Sequence, residues 1–189
     1  MRRLYHLISY SALADIKAEV SRLHLGLAWW IIEPLMYMAV FYLVFGVIFE
    51  RGGPGYPAFL LTGLVTYRWF DTSVRTAMNA IVTNGNLIQQ VYVPKYVFPV
   101  TAVVATTIKF LFVFPLLVIL LVILGHHPSP SWIALPVVMA IEFIFAVVIG
   151  TITSLAVPFL PDIRIRINNG LILLLFLSGI FYSVSNIPE

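Results

Sequence analysis

Five long apolar stretches, at about 27–49, 58–82, 97–124, 132–157 and 167–184, constrain this chain more than anything else in it. Bilayer hydrocarbon is about 30 Å thick, so a spanning helix needs roughly 20 apolar residues. The runs are continuous rather than alternating, which excludes a transmembrane β-barrel. Hydrocarbon offers backbone N–H and C=O groups no partner, so each run is expected to be a helix. The residues are 61% hydrophobic and 10% charged, and their mean hydropathy is +1.00. A soluble chain of 189 residues could not cover that much apolar surface with so little charge. The expected fold class is all-α. It is a polytopic helical integral membrane protein with an N-terminal amphipathic interfacial helix (1–26) and five transmembrane helices (27–189).

The charge between the runs sets the orientation. With the N-terminus in the cytoplasm, that side holds Arg2, Arg3, Lys17, Arg22, Lys95, Arg164 and Arg166, and the outer side holds Arg51. Positive residues favour the cytoplasmic face, so the N-terminus is expected inside. This puts "NGNLIQQVYVPKYVFP" (84–99) and "FLPDIRIR" (159–166) in the cytoplasm, and "GHHPSPS" (125–131) outside. No cleavable signal peptide is expected, because polar residues follow Arg2 and Arg3 before any apolar core develops. Before the first run, Leu13, Ile16, Val20 and Leu23 share one helical face, and Asp15, Glu19 and Arg22 share another. Such a segment can lie in the membrane interface or simply flank the first span.

Ionisable residues inside a membrane are costly, so their placement is informative. In "YRWFDTSVRTAMN" (67–79), Arg68, Asp71, Thr72, Arg75 and Asn79 fall on one side of the helix. Phe70, Val74, Ala77 and Ile81 fall on the other. Asp71 can pair with Arg68 (i, i+3) and with Arg75 (i, i+4). Lys109 lies about 18 Å into the third run and Glu142 about 15 Å into the fourth, counted from opposite membrane faces. They are therefore a second candidate pair near the midplane. Glu33 sits low in the first span. Three readings stay open for these charges: ion pairs that hold helices together, the polar lining of a translocation path, and a proton relay.

Aromatic residues make up 14% of the chain. Trp30, Tyr37, Phe41, Phe45 and Phe49 climb the first span at mostly four-residue spacing. They suit lipid contact and helix packing, or a stacking surface for the C–H faces of sugar rings. The chain lacks cysteine, which removes thiol catalysis, disulfides and Cys-based metal sites. It also lacks the Walker A phosphate loop, H-E-x-x-H, G-x-S-x-G and any cluster with metal-ligand spacing. His126 and His127 stand adjacent beside Pro128 and read as a polar turn. No catalytic or metal-ligating residue is expected, and the modest charge of +3 gives no sign of nucleic-acid binding.

In order along the chain, "LGLAWWIIEPLMY" (25–37), "YPAFLLTGLVTYRWFDTSVRTAMNAIVTNGNLIQQVYVPKYVFPVT" (56–101), "FLPDIRIRINNGL" (159–171) and "LSGIFYSVSNIPE" (177–189) resemble a known family. They are similar to the membrane subunits of type-2 ABC exporters for polysaccharides such as O-antigen, capsule or teichoic acid. The resemblance implies a homodimer of six-span permease subunits in the bacterial inner membrane, bound to two cytoplasmic ABC ATPase subunits that carry the ATP and Mg. It also implies a lipid-linked polysaccharide as cargo, membrane lipids around the subunit, and an interfacial N-terminal helix acting as a gate. A coupling helix between the second and third spans would dock in the ATPase. Its positions map to 84–96, with Asn86, Leu87, Ile88, Gln89, Val91, Tyr92, Pro94 and Lys95 as the contact residues. Pro94 and Pro99 would end the short helix and stiffen it.

The chain departs from the family pattern at three places. Gln89 and Gln90 stand where lysines are common, and Pro161 stands where an arginine often precedes the aspartate. The family also continues beyond the position of Glu189 through a re-entrant segment and a sixth span, so a chain lacking both is expected here. The first span's aromatic stripe is the candidate glycan path. Other classes remain on the table: a membrane-embedded glycan polymerase or transferase, a type-2 permease for drugs or lipids, and a scaffolding subunit without a pathway.

Overall fold

The computed structural model describes residues 8, 10–14, 16–18, 28–41, 43–44, 55–90, 92–126 and 130–181. Phe45, Phe49, Arg51, Val91, Val20 and Leu23 lie outside the described residues, as do the side chains of Trp30 and Phe41. Among the described residues there is no strand. The protein is an all-α polytopic membrane protein. Among the described residues, an N-terminal helical segment (10–14 and 16–18) precedes six α-helices: α1 (Ala28–Phe41), α2 (Tyr56–Thr83), α3 (Gly85–Gln90), α4 (Val97–Ile123), α5 (Leu135–Ala156) and α6 (Ile163–Leu177). A 3₁₀ turn, Pro130–Ala134, leads into α5.

The two most apolar helices, Val97–Ile123 and the stretch Trp132–Ala156, are long enough to cross a bilayer. Only 22% and 11% of their most apolar windows are buried within the chain. A soluble core helix would bury most of such a stretch, so these surfaces are made for lipid or for other protein chains. The most buried of the described helices is α2, whose charges give it a different chemistry and whose place is central. Leu60, Leu61, Val74 and Met78 of α2 are among the most completely buried side chains. Phe70, Val74, Ala77 and Ala80 pack with Ala102 and Val103 of α4, Ala146 of α5 and Leu171 of α6. Nearer its start, Leu61, Val65 and Trp69 pack with Phe110 and Leu117 of α4.

Small residues and hydroxyls let these helices approach closely, as membrane packing requires in the absence of a hydrophobic drive between helices. A Cβ on Gly150 of α5 would sit 2.6 Å from the Cβ of Ala77, so α2 and α5 cross with no room for a larger residue. Between α2 and α4, Ser73 and Thr106 share a buried hydrogen bond of 2.7 Å. Trp69 Nε1 donates to Thr107 Oγ1 at 3.3 Å, and its ring stacks on Phe110 at 4.4 Å.

The helix ends follow local chemistry. Asn84 closes α2 with its backbone N–H and side-chain Nδ2 both bonded to Ala80 O. Its own carbonyl then accepts from Ile88 N at 3.0 Å, so α3 begins where α2 stops. At the far end of α4, Gly125 takes a left-handed φ of +86°. There His126 N bonds Leu121 O and Gly125 N bonds Val122 O, a Schellman closure that needs this glycine. One expectation is corrected here. Pro99 does not end the short helix; it lies in the first turn of α4, where a missing N–H forfeits no helical bond.

Candidate functional site

The charged residues of α2 meet their partners across three helices. Arg75 Nε donates to both Asp71 carboxylate oxygens, at 2.8 and 2.9 Å. Arg75 Nη1 donates to Asn168 Oδ1 of α6 at 2.5 Å. Arg68 Nη1 stands 3.9 Å from Asp71 Oδ2, and Nη2 of the same guanidinium pairs with Glu33 of α1. The Arg68 guanidinium also lies over the Tyr37 ring, 4.8 Å from its centre. Tyr67 donates from its hydroxyl to Leu171 O of α6. The expected pairing of Asp71 with both arginines is present, and it extends further than the spacing on α2 can tell.

Burial along this chain of charges is uneven. The Asp71 side chain is 8% exposed and that of Arg75 33%, whereas Arg68 and Glu33 are 41% and 47% exposed. Asp71 is thus the buried centre of the network, and Arg75 with its two-point contact is what makes its charge tolerable. The four charges alternate in sign and sum to zero, so the network does not attract ions by net charge. Its inner face borders a cavity of about 150 Å³ walled by Tyr37, Tyr67, Arg68, Asp71 and Arg75 on the polar side and by Leu64, Leu171 and Leu175 on the apolar side. Polar groups over an apolar wall, next to a tyrosine ring, suit a hydroxylated molecule with one apolar face.

No ion pair joins Lys109 to Glu142; the charges of α2 pair with one another and with Glu33. The depths of Lys109 and Glu142 agree, but their directions do not. Glu142 lies on the α5 stripe shared with Ala146 and Gly150, which faces α2. Lys109 lies on the α4 stripe with Ala102 and Ala105, which lines a different cavity. Of the aromatic stripe, Tyr37 is brought to the charge network, while the side chains of Trp30, Phe41, Phe45 and Phe49 are outside the description. Among the described residues no three of His, Asp and Glu come together as a metal group would require.

The segment between α2 and α4 has the opposite character. None of α3 is buried. Tyr92 is fully exposed, and Leu87 and Tyr96 are each about half exposed. Asn86, Gln89, Pro94 and Lys95 are exposed too, and Ile88 is half-buried. Sequence reasoning missed Asn168 and Tyr67 as members of the network. An asparagine pair, Asn168–Asn169, standing beside a run of leucines was the available signal.

A central helix carrying a buried carboxylate and its arginine, packed against apolar helices and continued by an exposed short helix, defines a polytopic membrane protein. The comparisons with known proteins give that class its family. Residues 15–189 match the ABC-2 type transporter family, and the chain belongs to it. It is 27% identical over 187 residues to an O-antigen export system permease protein RfbA of Klebsiella pneumoniae, covering 98% of this chain and 72% of that one. It is 29% identical over 175 residues to the protein of the same name from Myxococcus xanthus, covering 93% and 67%. A polysialic acid transport protein KpsM of Escherichia coli is 26% identical over 184 residues, covering 94% and 70%.

Proposed function

We propose that this chain is the permease subunit of an ATP-driven exporter that moves a lipid-linked polysaccharide across the bacterial inner membrane. In this reading it has its N-terminus in the cytoplasm, pairs with a second copy of itself, and is driven by a separate cytoplasmic ATPase subunit. The observation that carries it is the α3 segment. Leu87, Tyr92 and Tyr96 leave apolar surface outside the chain's own core, on a turn joined without a break to the most buried helix. Exposed apolar and aromatic groups of this kind mark a contact with another protein.

The charge network adds a route from that contact to the membrane interior. A rigid α2 carries any displacement of α3 to Arg68, Asp71 and Arg75, and from there to Glu33 of α1 and Asn168 of α6. The cavity beside the network, with Tyr37, is the proposed polar wall of the glycan path. Gln89 and Gln90 make docking rest on apolar contact and shape more than on charge.

The test is a paired substitution, Leu87→Ala with Tyr92→Ala, in cells that make the chain together with its ATPase subunit. The expected result is a membrane-inserted protein that no longer co-purifies with the ATPase and no longer supports ATP-dependent glycan export. Unchanged co-purification and export would remove the coupling surface from 84–96. Glycan synthesis by the purified chain without any ATPase would instead support a membrane-embedded transferase.

A further inference from the structure

Helix α5 carries one ionisable residue, Glu142, and the charge network does not use it. Glu142 stands 10 residues into the apolar stretch Trp132–Ala156 and 14 from its end. At 1.5 Å per residue that is about 15 and 21 Å, near the middle of a bilayer. Its side chain is half-buried, on the border between two faces of the helix. On one side Ala146 and Gly150 turn toward α2. On the other, Val138, Ile141 and Phe145 are exposed. Among the described residues no hydrogen bond or ion pair reaches the Glu142 carboxyl.

The elements packed against α5 are α2, α4 and the 3₁₀ turn. The side of α2 that meets α5 is that of Phe70, Val74 and Ala77. Arg68, Asp71 and Arg75 lie on its other side, bonded to one another, to Glu33 and to Asn168. The Tyr67 hydroxyl donates to Leu171 O, and Tyr56 packs with Leu60 and Ile180. On α4, Lys109 lines the cavity shared with Thr101 and Thr106. The 3₁₀ turn has no ionisable side chain, and Arg164 and Arg166 follow the far end of α5. Asp71 stays ionised because Arg75 meets it at two points. A carboxylate set among apolar groups and hydrocarbon without such a partner is disfavoured against its neutral acid. We propose that Glu142 keeps its proton within the bilayer, as an acid open to the lipid phase, and is the site at which hydrophobic carbodiimides modify this chain. The proposal rests on α5 crossing the bilayer and not on the transport function proposed above.

The chemistry needs the protonated form. The acid's proton passes to a carbodiimide nitrogen while the carboxyl oxygen bonds to the central carbon. The resulting O-acylisourea rearranges, as the acyl carbon moves from oxygen to nitrogen, to a stable N-acylurea. Every atom of the reagent is retained and no leaving group departs. The purified protein, reconstituted in lipid vesicles, is treated with dicyclohexylcarbodiimide, and the adduct is located by peptide mass spectrometry. Glu142 is expected to be modified roughly ten-fold or more faster than Asp71, whose charge is held by Arg75. The rate should fall as the pH is raised and the acid ionises, and Glu142→Gln should abolish the adduct. Because Gln has the shape and neutrality of the protonated acid, Glu142→Gln should also unfold at the parent's midpoint. Absence of the adduct from Glu142, or modification of Asp71 at an equal rate, in protein that elutes as the parent does, would overturn the proposal. A lowered midpoint for Glu142→Gln would do the same, since it would reveal an ionised carboxylate held by a partner such as a second copy of the chain.

Discussion

Asp71 is a carboxylate that the chain buries in the middle of its central helix, and Arg75 is what lets it stay charged there. Removing one member of a buried pair strands the other, so Arg75→Gln is expected to lower stability by about 3 kcal/mol. Denaturant or thermal unfolding of the purified protein measures this. Adding Asp71→Asn should return most of the loss, because the stranded charge goes with it. The Glu33–Arg68 pair is half-exposed, so Glu33→Gln should cost about 1 kcal/mol or less in the same measurement. The pairing within α2 was legible because three- and four-residue spacing fixes neighbours on one helix. The bond from Arg75 to Asn168 was not, since 93 residues separate them and only the packing of α2 against α6 brings them together. The expected Lys109–Glu142 pair failed for the complementary reason. Depth along a span can be counted from sequence, but the direction in which each helix turns its residues depends on the neighbours it packs against.

At the scale of elements, α2 is held by what it excludes. Gly150 leaves room for Ala77 and for nothing more, so Gly150→Leu is expected to separate α2 from α5 and cost about 1–3 kcal/mol or more. The milder Gly150→Ala should be partly rescued by Ala77→Gly, which a double-substitution comparison of unfolding midpoints reads directly. The α3 segment behaves in the opposite way. Its side chains contribute nothing to the core, so Leu87→Ala with Tyr92→Ala should leave chain stability within about 0.5 kcal/mol while abolishing ATPase binding. That separation of stability from binding is what distinguishes a docking element from a plain inter-helix turn. The polar composition of 84–96 announced an element apart from the spans. Its prolines were harder to place, because Pro99 reads equally as a helix terminator and as a first-turn residue until the start of α4 is known.

For the whole molecule, the apolar runs were the most legible feature, since lipid leaves the backbone no alternative to helix. Helix α6 opens at Ile163, ahead of the apolar run at 167, and so takes in Arg164 and Arg166. Hydropathy alone could not show that, because it reports where lipid begins and not where backbone hydrogen bonding begins. The large exposed faces of α4 and α5 and the bare segment at α3 leave apolar surface for lipid or for other protein chains. In the proposed function, ATP hydrolysis in a partner is converted, through this chain, into movement of a lipid-linked glycan. Its most direct test is reconstitution of the protein with its ATPase subunit in sealed vesicles carrying the lipid-linked polysaccharide on one leaflet. Arrival of glycan on the other side is followed by its exposure to an added glycosidase. Transfer is expected to require ATP and to disappear with Leu87→Ala and Tyr92→Ala. Transfer that proceeds equally without ATP, or that survives those substitutions at the parent rate, would contradict it.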